Sequence, residues 1–371
     1  MPVPTPPRTL PLADALGASE PLAQLLARVK ASRARFDTAV APLLPAVQTP
    51  PEAARRASCV SNLHNLALAA LNYHDIRGHF PVDEDYSTYV PQLVDLRTGA
   101  RQTVRDPQRI AQTLSGAGWI VQVLPQLEMQ ALFNQFKPYL DRSWPGKTGI
   151  NANVPELRAA LQIQPEVLLC PSNELRGPRQ DQFPFSDDRE IDGGPVPVAV
   201  THFKGNAGDG SFEFQTPPRP PSGFWTYFPY INCYISAEDC FGLFWRYTYA
   251  RKGVKLREVT DGTTNTLMLG EASPEDGNSA AWSSDGDWAI TGVELNWDWK
   301  ASGDCLNSNG ELNPGVDRCW RQTRGFRGYH PGGVHFALVD GSTRLLSNNI
   351  NHTVYRALPT KNSEDPINEA W

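Results

Sequence analysis

The sequence lacks long apolar runs. No window of about 18 consecutive apolar residues occurs, so no transmembrane helix is expected. Residues 1–20 form a proline-rich tail without a basic stretch leading into an apolar one, so no signal peptide is read there. Basic excess is also missing. The 34 Lys and Arg face 40 Asp and Glu, for a net charge of -6, and no basic stripe stands out, which argues against a nucleic-acid partner. The fingerprints GxSxG, P-loop, GxGxxG and HExxH are absent. No CxxC occurs, and no Cys/His cluster has zinc-ligand spacing. These absences count against the commonest hydrolase and nucleotide-binding classes, although a triad assembled from distant positions leaves no such trace. Internal repeats and low-complexity tracts are missing too.

What is present points to a packed, loop-rich chain. The composition is 40% hydrophobic and 20% charged, enough to bury a sizeable core. The 33 Pro and 29 Gly, with 10 Trp and 11 Tyr, suggest short strands joined by long ordered loops. Cysteines are even in number: Cys59, Cys170, Cys233, Cys240, Cys305 and Cys319. Pairing neighbours in sequence would give Cys59–Cys170, Cys233–Cys240 and Cys305–Cys319, among the roughly 15 pairings that six cysteines allow. A bridge closing a loop of about 100 residues contributes about 4–5 kcal/mol in the chain-entropy account. The other reading is six buried thiols in a reducing compartment.

Along the chain, residues 21–41 have the pattern of an amphipathic helix. Leu22, Leu25, Leu26, Val29, Phe36 and Val40 fall near one face, with Arg28, Lys30, Arg33 and Arg35 elsewhere. Pro42 and Pro45 interrupt it. Thr49 then reads as an N-cap, with Pro50 at the first position and Glu52 closing a capping box. Cys59, Val60, Leu63, Leu66, Ala67, Ala70, Leu71 and His74 continue at helical spacing to the natural C-cap Gly78, ahead of Pro81. An apolar stretch spans 119–125, followed by a short helix carrying Leu127, Leu132 and Phe133. Residues 165–171, ending in Leu168-Leu169-Cys170-Pro171, read as a short strand stopped by proline, and residues 176–230 as a long insertion. Strands are expected at 241–244, 256–259 and 266–271. A hairpin is expected from 335–339 and 343–346 around Asp340-Gly341.

Three patches could carry chemistry. His330, His335 and Asp340 could hold a metal or act as base and orienter, the arrangement of a metal-dependent hydrolase. In a strand starting near Gly333, His335 and Asp340 fall on opposite faces, which favours plain loop hydrogen bonding. The run Thr260–Thr266, ending in Glu271, offers Asp261 and Glu271 as calcium ligands, against a capped turn made by Asp261 and Thr264. No other cofactor is expected. Trp282, Trp288, Trp297 and Trp299 could stack on sugar rings in a secreted carbohydrate-binding module, or pack in the core.

The motifs together resemble one family. Glu52–Leu63 leads into Ala67–Asp75 and then Gly78-His79-Phe80-Pro81. Gly118-Trp119 through Leu124–Glu128, Cys170-Pro171-Ser172, Gly205–Gly208, Thr260–Thr266 with Gly270-Glu271, and His330–Gly333 follow in order. His330, nine intervening residues, then Asp340-Gly341 resembles the C-terminal signature of the prepilin-like proteins of planctomycete bacteria, whose function is unassigned. The resemblance covers roughly residues 43–360. It implies an α+β, type IV pilin-like fold, with a long N-terminal helix packed on an antiparallel sheet and long loop-rich insertions. It also implies an extracytoplasmic, non-enzymatic, pseudopilin-like component of the cell envelope, with self-assembly or other envelope proteins as partners. Pairing Cys59 with Cys170 agrees with where both motifs carry cysteine. The usual apolar anchor and processing site are replaced here by the amphipathic segment 21–48. The expected organisation is therefore tail 1–20, segment 21–48 and head 49–371, the head including the 50–77 helix and the 325–360 hairpin motif.

Overall fold

The computed structural model describes residues 30, 43–81, 117–140, 155–179, 197–209, 242–244, 253–275, 280–283, 287–297, 324–362 and 371. The chain divides into two compact units, Met1–Ala54 and Arg55–Trp371. In the first unit the described residues are Lys30 and the opening turns of helix α1 (Leu43–Arg77). The rest of the expected 21–41 helix lies outside the described residues. Pro42 lies outside the described residues, and no interruption occurs at Pro45. Helix α1 starts at Leu43, so Thr49 lies inside it rather than capping it. Pro45 falls in the first turn, where backbone N–H groups have no helical partner to lose. Pro50 and Pro51 do forgo their helical donors to Ala46 and Val47.

The second unit is the head. From Arg55 onward, Cys59, Leu63, Leu66, Ala67, Ala70 and Tyr73 repeat at helical spacing and are all buried. The helix stops as expected at Gly78, whose φ of 78° closes the last turn with its N–H on the His74 carbonyl at 2.6 Å. Short helices α2 (Trp119–Val123), α3 (Gln130–Leu140) and α4 (Arg158–Leu161) pack beside it. No described helix is long and apolar enough to cross a membrane.

The sheet contains β1 (Phe203–Asn206), β2 (Leu267–Glu271), β3 (Trp288–Ala289), β4 (Gly333–Leu338) and β5 (Thr343–Ser347), in the spatial order β3-β1-β2-β4-β5. All described pairs are antiparallel except β1 with β3. The fold is therefore α+β, with β1–β4 buried on both faces and the edge strand β5 largely exposed. The α1 side gathers Leu63, Leu66, Trp119, Phe203, Met268, Trp282 and Ala337. The opposite side gathers Leu267, Phe326, Val334, Phe336 and Leu338 under helix α5 (His352–Ala357) with Tyr355. Alternation along β4 therefore sends Val334, Phe336 and Leu338 one way, and leaves His335 for the α1 side.

The β4–β5 hairpin forms at the expected place. Gly341 (φ 84°) supplies the only positive φ of its turn: its N–H reaches the Leu338 carbonyl at 2.9 Å, and Leu338 N–H reaches Ser342 at 2.8 Å. That is a type I turn with a bulge, rather than a two-residue turn needing two positive φ angles. Two expected strands are short 3-10 turns instead, Glu166–Leu168 and Leu256–Glu258, and Gly242–Phe244 is a bend. In the two 3-10 turns local i→i+3 bonding takes up backbone donors that a ladder would need, whereas Gly242, Leu243 and Phe244 donate to the Ala207 and Asn206 carbonyls. Strand β1 falls inside the segment read as an insertion. Its Asn206 is fully buried and fully bonded, donating to the Leu267 and Pro359 carbonyls and accepting from Gly208 N–H.

Candidate functional site

The last residue of β2 is the focus. Strand β2 runs Leu267-Met268-Leu269-Gly270-Glu271, all buried, and ends in a carboxylate with no access to water. Gly270 faces Phe326 and Phe336 on one side of the sheet. Glu271, the next residue, therefore turns toward α1.

There its two oxygens have separate partners. Oε1 accepts from the Cys59 thiol of α1 at 2.7 Å, and lies 3.1 Å from His330 Nε2 and 3.7 Å from Cys170 Sγ. Oε2 accepts from the His335 backbone N–H at 2.7 Å and sits 3.3 Å from its Nδ1. Cys170 Sγ is 3.3 Å from His330 Nε2, and the two imidazoles meet edge to face at 4.8 Å. His202 buttresses Cys170: its Nδ1 accepts the Cys170 backbone N–H at 3.0 Å, and its Nε2 donates to the Leu175 carbonyl at 2.8 Å. Cys59, Cys170, Glu271 and His330 are each no more than 4% exposed, so the cluster is sealed.

The electrostatics follow from that geometry. Burial pushes the Glu271 carboxyl up, but hydrogen bonds from His330 and His335 outweigh it and hold the group at about 2. Burial drives His202 down to about 4, so it is neutral, in agreement with its one-donor, one-acceptor bonding. The two thiols diverge. A hydrogen bond from Cys59 brings Cys170 down to about 6 against the effect of burial, while burial pushes Cys59 up.

Other segments fasten α1 around this point. Asn62 donates to the Leu169 carbonyl at 2.9 Å, Arg56 to Pro331 at 3.0 Å, and His64 Nδ1 to Gly341 at 2.8 Å. Three regions that the sequence analysis marked separately, around Cys59, Cys170 and His330, therefore meet at one carboxylate.

The candidate residues fare differently. Cys59 and Cys170 come together as two thiols, with no bond between the sulfurs. Cys233, Cys240, Cys305 and Cys319 lie outside the described residues. His330 and Asp340 do not converge: His330 is in the cluster, whereas exposed Asp340 accepts from Ser342 N–H and Oγ at 2.9 and 2.6 Å. The hydrolase pairing is thus not formed, because Asp340 serves the hairpin turn. Nor do Asp261 and Glu271 form an oxygen cage. Asp261 accepts from Thr360 Oγ1 at 3.1 Å, while Glu271 meets sulfur and nitrogen. Trp282 and Trp288 are core residues, Trp297 is half-buried against the core, and Trp299 lies outside the described residues.

Donor atoms of Cys59, Cys170, Glu271 and His330 all lie within 4.8 Å of one another, a mixed S, O and N set suited to a borderline-soft metal. Sequence reasoning did not join these four. The available signal was a glutamate closing an otherwise apolar strand.

The same segments are those a family comparison spans. The model of a family described as "Protein of unknown function (DUF1559)" matches residues 48–353. The chain belongs to the DUF1559 family. The match includes every residue of the cluster, from Cys59 to His335, so the sealed site lies wholly within the DUF1559 region. No curated protein and no solved structure matches the chain.

Proposed function

We propose that this DUF1559 member is a non-enzymatic, pseudopilin-like structural or assembly component of the cell envelope. The observation that carries the reading is the sealing of the cluster. Its acid, base and nucleophile types are spent on one another, and none faces a substrate. A general base must reach the proton it removes, directly or through one water. These groups instead tie α1 to β2, β4 and the Cys170 loop. A long N-terminal helix whose Arg55–Arg77 portion lies on a mainly antiparallel sheet supports the pilin-like part of the reading. Trp282 and Trp288 are buried, so a carbohydrate platform would fall to half-buried Trp297 and to Trp299, which lies outside the described residues.

The test is sedimentation velocity on the full chain over a wide concentration range, paired with fractionation of the source cells. Concentration-dependent self-association and recovery with the envelope fraction are expected. A strictly monomeric chain recovered from the cytosol would overturn the proposal.

A further inference from the structure

We propose that Cys59, Cys170, Glu271 and His330 bind one zinc ion as a closed structural centre. This goes beyond the assembly reading and stands or falls separately from it.

The donor set comes first. Zinc takes thiolate, imidazole and carboxylate ligands, and structural sites use four of them in a tetrahedron. The cluster offers Cys59 Sγ, Cys170 Sγ, Glu271 Oε1 and His330 Nε2. Bonds of about 2.0–2.3 Å put the edges of such a tetrahedron at roughly 3.3–3.8 Å. The observed separations of 2.7, 3.1, 3.3 and 3.7 Å straddle the lower end of that range and all donor pairs lie within 4.8 Å, so an ion requires the Cys59–Glu271 contact to open by about 0.6 Å or more and any pair near the outer limit to close.

The surroundings are arranged as an outer shell. Ligating carboxylates and histidines are normally held by further hydrogen bonds. Glu271 Oε2 is held by both the backbone and the ring of His335, which aims Oε1 at the other donors. Cys170 is fixed by its backbone N–H on His202. Zinc would also resolve an electrostatic oddity. Two thiols crowd the carboxylate oxygen that His330 also approaches, and the thiols pay desolvation there for only weak S–H bonding. A divalent ion turns the same contacts into coordination. Both thiols would lose their protons to solvent, and the three anionic ligands would leave a net charge of -1 facing the two His335 N–H groups. Four protein ligands leave no open position for water, so the centre would be structural rather than hydrolytic.

The full chain is purified without chelator and under reductant. Its zinc content is then measured beside its intact denatured mass, and X-ray absorption is recorded on the zinc-loaded protein. About one zinc per chain is expected, with both thiols reduced, two sulfur ligands at about 2.3 Å and two nitrogen or oxygen ligands at about 2.0 Å. Cobalt substitution should give tetrahedral visible bands and a sulfur-to-metal charge-transfer band, and Cys170→Ser should weaken the charge-transfer band by about half. A chain that retains no zinc after loading overturns the proposal. So does a Cys59–Cys170 disulfide in protein purified without reductant, assigned by non-reducing peptide mapping. Zinc bound through a shell without two sulfurs would place it elsewhere and also overturn the proposal. A variant with Cys233, Cys240, Cys305 and Cys319 changed to Ser should keep the two-sulfur spectrum, which assigns both sulfurs to Cys59 and Cys170 without relying on Cys170→Ser.

Discussion

Glu271→Gln isolates what the buried cluster contributes. The substitution keeps the shape of the side chain but replaces one acceptor oxygen with an NH2 group. In the native head, four donors converge on this carboxylate: Cys59 and His330 on Oε1, and the His335 backbone and ring on Oε2. Whichever way the amide turns, its NH2 faces two donors. Hydrogen bonds to a charged group contribute about 1.5–3 kcal/mol each, and donors left buried without a partner add a penalty. Two such losses give about 3–6 kcal/mol, overlapping the roughly 3–5 kcal/mol for breaking a buried ion pair by removing one partner. Urea unfolding of the reduced, chelator-treated protein, followed by tryptophan fluorescence and far-UV circular dichroism, measures this. The midpoint should fall with the slope unchanged. Glu166→Gln serves as the control. Glu166 pairs with Arg176 at 3.2 Å on the exposed surface, so its loss should cost less than about 1 kcal/mol. If Glu271→Gln lies within about 1 kcal/mol of the parent at equal slope, the cluster is not the tie described here.

Three further outcomes follow from the same structure. His202 is held at about 4, below its ordinary value of 6.5, so its contribution is complete above pH 6.5 and is lost as pH falls toward 4; Glu271, held at about 2 against 4.5, loses its contribution between pH 4.5 and 2. Urea midpoints of the metal-free protein should therefore decline on acidification from pH 7, and a rise between pH 7 and 5 would contradict the assignment. Gly333→Ala should destabilise the head by about 1–3 kcal/mol or more, because its Cβ would overlap the Leu346 carbonyl of the paired strand; unchanged thermal unfolding would refute that register. Trp282→Ala should cost about 3–5 kcal/mol, since the ring is buried against Phe136 at 5.6 Å and its Nε1 donates to Ile163 at 3.0 Å. Selective loss of sugar binding with intact stability would instead revive a carbohydrate platform.

Periodicity made part of this fold legible. The buried stripe Cys59–Tyr73, the Gly78 cap, strand β2 and the hairpin about Asp340-Gly341 follow from 3.6- and 2-residue repeats with glycine at the positive-φ positions. Strands β1 and β3 did not, since they span four and two residues and lie among prolines, glycines and buried polar groups. The prolines of α1 misled the reading of its start, because two of them stand in a helix that continues past them. The cluster was legible only in pieces. Cys59 and Cys170 drew attention as a disulfide pair, Glu271 as a calcium ligand and His330 as a motif residue. Partners separated by up to 212 positions, as Cys59 and Glu271 are, leave no spacing to read. The pairing of β2 with β4, the laying of α1 across them and the docking of the Cys170 loop on His202 and Asn62 bring the four together.

The central claim, that these groups are sealed in a structural tie, is tested most directly by native-state alkylation of Cys59 and Cys170 in reduced, metal-free, folded protein, read by peptide mass spectrometry. A head stable by about 5 kcal/mol exposes the site only through unfolding, so both cysteines should react roughly a thousand-fold or more slowly than in the denatured chain. Modification of either residue at near the denatured rate, with the protein still folded, would contradict the account.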